Sequence, residues 1–429
     1  MAVLTAEQRK KKIGDVFRVA SGNFLEQYDF FVYAYYARQI GAAFFPSNDP
    51  FAELMASFAT FGVGFLMRPL GAVVLGAYID RHGRRKGLIL TLAMMAVGTL
   101  TIAMTPSYAQ IGVAAPIIVV IGRLLQGFSA GVELGGVSVY LAEIATPGRR
   151  GFYTSWQSAS QQIAVVMAAL IGAIVTSQLT TAQMGVWGWR VPLLIGCMII
   201  PVIFWLRRSL TETEEFHKLK TADSAGHVFR IMAQNWGLIL IGMGMVIFTT
   251  TAFYLITAYT PTFGREALKL DATGVLMVTI AVGLSNFIWL PIGGAISDRI
   301  GRYPQLILMP ALALLTAYPL MRWLVADPSF GKLLVTVLVF SFYYGIYNGG
   351  MIPLLAEVMP AQVRTAGFSL AYALATALFG GFTPLVSTAL IEQTGDRAAP
   401  AWWLCVAAVL SLAGVLASRR RVVQTTMAD

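Results

Sequence analysis

The sequence predicts an all-α integral membrane protein with twelve transmembrane helices in two pseudo-symmetric six-helix bundles. Three observations predict it. The 429 residues are 57% hydrophobic and only 12% charged, too little charge to cover a water-facing surface. The apolar runs have helix-spanning length, not the roughly ten-residue alternation of a membrane barrel. A charged turn, Gly76-Ala-Tyr-Ile-Asp80-Arg81-His82-Gly83-Arg84-Arg85-Lys86, recurs as Gly294-Ala-Ile-Ser-Asp298-Arg299-Ile300-Gly301-Arg302. The two aspartates are 218 residues apart (298 − 80), close to half the chain.

Apolar runs and their breakers set the elements in order, at roughly 16–38, 53–79, 87–106, 112–143, 152–178, 187–206, 236–260, 271–297, 303–325, 332–358, 365–391 and 400–418. The first follows a basic stretch, Arg9 to Lys12, and reads as a retained helix instead of a signal peptide. The second and third helices flank the first charged turn, and the eighth and ninth flank its echo. The fourth ends in Leu141-Ala142-Glu143, with Arg150 seven residues on; the tenth ends in Leu355-Ala356-Glu357, with Arg364 seven on. That second pair is spaced by 214 (357 − 143), so the two halves are parallel repeats, an architecture of transporters. The expected domains are an N-terminal bundle over 1–206, a cytoplasmic linker over 207–235 and a C-terminal bundle over 236–429. In the linker, Ser209 and Glu212 fit a capping box, consistent with a short helix or a solvated tether.

Basic residues orient the chain. Of 31 Lys and Arg, 21 fall on the side of the N-terminus and seven on the other, while Arg18, Arg68 and Arg123 lie within helices. This asymmetry predicts that both termini are cytoplasmic, and it accounts for the net charge of +10 without nucleic acid. Cys197 and Cys405 sit in apolar runs and read as buried, unpaired thiols. The three histidines, His82, His217 and His227, all fall in loops. No glycine-rich nucleotide loop lies in a soluble segment. No cofactor, metal site or enzyme activity is expected, and uphill transport would draw on an ion gradient.

Charge at membrane depth is confined almost wholly to the first half: Glu26, Asp29, Arg68, Arg123 and Glu133. Such groups mark pathways more often than packing. On the first helix Glu26, Asp29 and Tyr33 fall within about 60° of arc, and Asn23 precedes Glu26 by three. Buried carboxyl groups of this kind suit proton coupling, so Asp29, Glu26 and Glu133 are the proton-coupling candidates; a static ion pair with Arg68 or Arg123 is the competing reading. On the fourth helix Arg123, Gln126, Gly127 and Ala130 form a stripe. A guanidinium forks onto carboxylates and is a natural anchor for an organic anion. Gly127, Gly131 and Gly135 repeat every four residues and admit another helix at close range. Arg68 precedes Pro69 and serves either the cavity or a carboxylate. Gln157 and Gln161 share a face of the fifth helix. The second half offers neutral groups: Thr249 to Thr251 and Tyr254, Asn286 and Trp289, and Tyr343, Tyr344, Tyr347 and Asn348. The candidate substrate site is Arg123, Asn23, Gln126, Gln157, Gln161, Tyr254, Asn286, Tyr347, Asn348 and Arg68.

The charged turns read as a cytoplasmic gate made of Gly76, Asp80, Arg81, Gly83, Arg84, Arg85, Asp298, Arg299, Glu143 and Arg364. Asp80 is placed to meet the N-terminus of the eleventh helix, where an acid is favoured. Arg84 and Arg85 could pair with Glu143. The first copy is expected to carry more of the gating, because Tyr303 and Pro304 replace basic residues in the echo.

The turn from Gly76 to Arg85 and its echo resemble the loop signature of the major facilitator superfamily. Gly22-Asn23-Phe-Leu-Glu26-Gln27-Tyr28-Asp29-Phe30-Phe31 and Arg123-Leu-Leu-Gln126-Gly127-Phe128-Ser129 are similar to its metabolite–proton symporter branch. The stretches Gly127 to Tyr140, Thr154 to Gln162 and Asn286 to Gly294 resemble bacterial citrate–proton symporters, with tricarballylate carriers as near siblings. The resemblance covers essentially the whole chain. It implies uptake of a tricarboxylate with protons, by alternating access, across the bacterial inner membrane. The implied partners are a small organic anion, protons and the lipid bilayer, with the protein a monomer. Another dicarboxylate or tricarboxylate, a facilitator without proton coupling and a transporter-like sensor are the alternatives.

Overall fold

The structure, a computed structural model, describes residues 24–82, 84–131, 133–208, 234–360 and 364–428. Asn23, Gly83 and most of the 207–235 linker, including the Ser209–Glu212 pattern, lie outside the described residues. So do the side chains of Glu26, Gly76, Asp80, Arg81, Arg84, Arg85, Glu133 and Glu143.

Among the described residues, twelve helical spans follow one another. In the first half, α1 is Phe24–Tyr35 continued by Ala37–Phe44, α2 is Pro50–Leu66 continued by Arg68–His82, and α3 is Arg84–Met104. Next, α4 is Ala114–Ala130 continued by Glu133–Ile144, α5 is Arg150–Gln178 and α6 is Arg190–Arg208. In the second half, α7 is Trp236–Ala267, α8 is Ala272–Ile300, α9 is Tyr303–Ala326, α10 is Phe330–Val358, α11 is Arg364–Thr394 and α12 is Pro400–Ala428. Eight of these helices are long and apolar enough to span a membrane by length and composition among the described residues, or nine with the bent pair at Thr181–Gly188 and Arg190–Pro201.

Local chemistry fixes the ends. Asp49 accepts from the N–H of Phe51 at the start of α2, Asp271 from Gly274 at the start of α8 and Ser329 from Lys332 at the start of α10. Arg190 donates to the carbonyls of Ala103 at 2.6 Å and Thr105 at 2.8 Å, placing a cation on the C-terminus of α3. The first helix, expected to end near 38, runs on past a break at Tyr36 to Phe44, so Arg38 lies within its second segment. Helix α12 likewise runs beyond the expected end near 418, to Ala428. Cys197 and Cys405 are free and half-buried, and Cys405 packs against the core.

Glycines set the helix spacing. A Cβ on Gly127 would overlap the carbonyl oxygen of Gly64, and one on Gly131 that of Arg68, so α4 lies backbone to backbone on α2. The same contact recurs between α8 and α10, where a Cβ on Gly293 would meet the Gly345 oxygen at 2.6 Å and one on Gly349 would overlap Gly294. Gly345 and Gly349 follow Gly127 and Gly131 by 218 residues each (345 − 127, 349 − 131), the offset of the charged turns. The duplication therefore extends from sequence to packing. The halves meet along α5 and α8, where Gly151 and Gly294 touch, and along α2 and α11, where Gly62 faces Phe382 and Gly381 faces Phe65.

Candidate substrate site

Arg68 on α2 and Arg123 on α4 are buried side by side. The glycine contact beneath them seats the Arg68 backbone on Gly131. Both guanidinium groups stack on one ring: Phe30 on α1 lies 4.8 Å from Arg68 and 4.4 Å from Arg123. The two charges are therefore no more than 9.2 Å apart, the sum of those distances. Arg68 also covers Phe65 at 4.3 Å, and Arg123 covers Tyr33 at 4.4 Å and Phe61 at 5.1 Å. The rings solvate the cations through their quadrupoles. They leave no carboxylate on Arg123 among the described residues. The direct ion pair to Asp29 is replaced by a longer route: Arg123 Nη1 donates to Gln126 Oε1 at 2.8 Å, Gln126 Nε2 donates to Thr99 Oγ1 at 2.9 Å, and Thr99 donates to Asp29 Oδ2. All four residues are buried.

The second half closes over this site with aromatic residues. Tyr254 packs edge-on against Phe61 and Phe65 of α2. It has room because a Cβ on Gly380 would approach its ring at 2.8 Å. Around that contact both helices leave regular α geometry, α7 through a π-turn at Leu255–Tyr259 and α11 through one at Thr376–Gly380. Such irregular turns at membrane depth occur where helices line a site. Phe253 lies against Phe31 and stacks on Tyr344.

Several buried donors are unspent. Arg123 Nε, Gln157 Nε2, Gln161 Nε2 and Asn348 Nδ2 find no acceptor among the described residues. Buried donors normally find an acceptor, and a polycarboxylate supplies acceptors only. Other expected site residues are spent internally. Asn286 donates to Gln162 at 3.0 Å and accepts from Ser341 at 2.6 Å, so it binds α5 to α8 instead of facing the site. Tyr347 donates to the Met245 carbonyl at 2.7 Å, Tyr343 pairs with Thr316, and Trp289 packs on Phe342. Thr249 donates to Asn348 Oδ1 at 2.9 Å, which aims that amide.

At the face bearing the charged turns, Asp298 on α8 accepts from the N–H groups of Gly151 at 2.8 Å and Phe152 at 2.9 Å, at the start of α5. Arg302 donates to Asp298 at 2.7 Å and to Glu357 at 3.2 Å. Arg299 is exposed and takes no part in these bonds; Arg302 fills the place expected for it. Arg364 begins α11 with its Nε buried and unpartnered. The opposite face is also bridged between halves: Arg38 pairs with Glu266 at 3.2 Å, and Arg265 donates to the carbonyl of Tyr35 at 2.6 Å, at the break in α1.

The family model described as Major Facilitator Superfamily matches residues 22–384. The chain belongs to the major facilitator superfamily. Among major facilitator relatives, a citrate-proton symporter of Salmonella typhi is 59% identical over 408 residues, covering 95% of this chain and 94% of the relative. A citrate-proton symporter of Klebsiella pneumoniae is also 59% identical, covering 94% and 90%. An alpha-ketoglutarate permease of Escherichia coli is 33% identical over 95% of this chain. Among solved structures, a D-xylose-proton symporter superposes with a TM-score of 0.76 at 17% identity, covering 95% of this chain and 97% of the other, a likeness of fold. Membership of the superfamily and these transporter relatives make the protein a multi-pass membrane transporter and not an enzyme.

Thr99, Phe30, Phe61, Phe65 and Tyr372, which the sequence does not single out, also converge on this candidate site. Tyr372 on α11 lies within electrostatic reach of Arg68 and Tyr254. The aromatic residues read as ordinary core, and only their convergence on two cations distinguishes them. Thr99 sits three residues from Ile102 in an apolar run, and its signal is visible only beside Asp29.

Proposed function

We propose that this transporter takes up citrate together with protons, by alternating access across the bacterial inner membrane. The observation that carries it is the pair of buried guanidiniums on Phe30. Two fixed positive charges no farther apart than this repel by at least about 2 kcal/mol at an effective dielectric of about 20, and an anion with two or more carboxylates relieves that repulsion while accepting from both forks. The 59% identity to proteins named citrate-proton symporters supports the choice of tricarboxylate. The substrate contacts are Arg123, Arg68, Gln157, Gln161 and Asn348, with Tyr254 covering them and Asn23 outside the described residues. Gln126 works by holding Arg123, while Asn286 and Tyr347 support the wall. Asp29 takes the coupled proton, with Glu26 and Glu133 as the other candidates.

The charged-turn face is cytoplasmic, and so are both termini, which agrees with the 21-to-7 split of basic residues. Asp298, with Arg302 and Glu357, closes the cytoplasmic gate against α5; Asp80, Arg84 and Arg85 play the matching part toward α11 and Glu143. The protein works as a monomer. Proteoliposomes with a pH gradient, acid outside, test the function: labelled citrate accumulates above its equilibrium level, and collapse of the gradient releases it. Absence of gradient-driven accumulation overturns symport. Competition by tricarballylate decides the substrate, since it carries the same three carboxylates without the hydroxyl. Stronger binding of tricarballylate than of citrate makes it the cargo.

A further inference from the structure

We infer that Thr99 is the residue that couples the anion anchor to the proton carrier, as a hydroxyl rotor between Asp29 and the carbonyl of Met95; the inference rests on the symport reading above. The chain of bonds has a direction. Arg123 gives a hydrogen to Gln126, Gln126 gives one to Thr99, and Thr99 gives one to Asp29. Every donor points toward the aspartate, the arrangement an ionised carboxylate demands. The Thr99 oxygen also lies 3.0 Å from the Met95 carbonyl, a second acceptor for its single hydrogen. The hydroxyl therefore has two resting positions. With Asp29 ionised its hydrogen lies on Oδ2. When a proton from the aqueous side binds Oδ2, the new O–H donates to Thr99 Oγ1, and the Thr99 hydrogen turns onto Met95. The threonine gains and loses no proton; it only rotates, and Asp29 later returns its proton to the side of release.

Substrate acts on the other end of the same chain. A carboxylate that takes Arg123 Nη1 removes the donor from Gln126 Oε1 and frees the amide to turn. Gln126 Nε2 then leaves Thr99, whose hydroxyl, no longer polarised by that bond, becomes a weaker donor to ionised Asp29. Anion binding and proton binding thus favour the same arrangement, which is the positive coupling that symport requires, and linkage makes it reciprocal. The packing leaves few other routes. Asp29 faces α6 at Gly196, where a Cβ would approach Oδ1 at 2.7 Å, and Oδ1 has no hydrogen-bond partner among the described residues. The charged and titratable groups around it are Arg123 from α4, Cys197 from α6 and its neighbour Tyr28, whose hydroxyl is committed to the Pro192 carbonyl at 2.8 Å. The side chain of Glu26 on its own helix is outside the described residues.

Thr99→Val keeps the shape and removes the rotor; Thr99→Ser restores the hydroxyl. Citrate affinity of the purified full chain is measured at pH 6 and pH 8 for wild type, T99V and T99S. The expected result is that the pH-driven change in affinity shrinks at least threefold in T99V and returns toward wild type in T99S. A T99V profile that tracks wild type overturns the rotor, as does a T99S profile that stays with T99V. If wild type itself shows neither pH-dependent affinity nor gradient-driven accumulation, the symport reading fails instead, and the two failures are told apart by that control. Should T99V not fold, the T99S profile and Gln126→Leu, which cuts the chain one residue earlier, carry the same comparison.

Discussion

Asp298 and Gly151 join the two halves of the molecule through one carboxylate on one helix start. The acid accepts from the N–H of Gly151 at 2.8 Å and lies where the helix dipole favours negative charge. Its hold is reinforced by Arg302, which is shared with Glu357. Replacing Asp298 by Ala removes a cap worth about 1 to 2 kcal/mol, enough to raise opening at this face roughly tenfold. Amide hydrogen exchange at residues 151–153 is expected to quicken by that factor, and unchanged exchange would show that the face is held shut elsewhere.

Gly127 tolerates no side chain. Its Cβ would occupy the space of the Gly64 carbonyl, so Gly127→Ala must push α2 from α4 and separate Arg68 from Arg123. Overpacking of this kind costs about 1 to 3 kcal/mol. The variant is expected to melt earlier in detergent and to lose citrate binding together with stability. Gly349→Ala, at the mirrored position, should lose stability similarly while changing affinity less, since the Arg68–Arg123 pair lies in the other half.

The arginine pair predicts a dependence on ligand charge. Arg68→Ala leaves Arg123 and Phe30 in place but halves the fixed charge. Affinity for citrate should fall by about tenfold or more, in keeping with a lost charge-assisted bond, while a monocarboxylate such as acetate competes almost unchanged. Equal losses for both ligands would mean that Arg68 shapes the helix and does not meet the anion. Arg123→Lys, which keeps charge but not the fork or the ring stacking, should still weaken citrate strongly.

Asp29→Asn removes the titrating group and leaves a side chain that Thr99 can still bond. Citrate exchange across the membrane at equal concentrations should persist, whereas accumulation driven by a pH gradient should vanish. If D29N still concentrates citrate, the coupled proton resides on Glu26 or Glu133.

The helices were legible because lipid allows the backbone few alternatives: a long apolar run must satisfy its own hydrogen bonds. The charged residues of the site were legible for a related reason, since Arg68, Arg123 and Asp29 are costly at depth and stand out in a list of apolar neighbours. Neutral polar residues carry no such mark. Asn286 and Gln157 look alike in sequence, yet one is consumed by Gln162 across the seam and the other keeps an unspent donor. The break at Met67 is written in Pro69 two residues on, but the break at Tyr36 and the π-turn at Thr376–Gly380 escape the sequence, because tertiary contacts such as Arg265 on the Tyr35 carbonyl support them.

The mirrored glycine contacts have a mechanical consequence. Where backbone rests on backbone there is no side chain to compress or slide, so α2 with α4, and α8 with α10, act as stiff girders inside each half. Strain from a conformational cycle has to be discharged elsewhere, at the α2–α11 seam between the halves, where Gly62 faces the Phe382 ring and Gly381 the Phe65 ring, and in the looser turns of α7 and α11. Spin labels placed across a girder should report one narrow distance throughout turnover, and labels placed across the seam should report two.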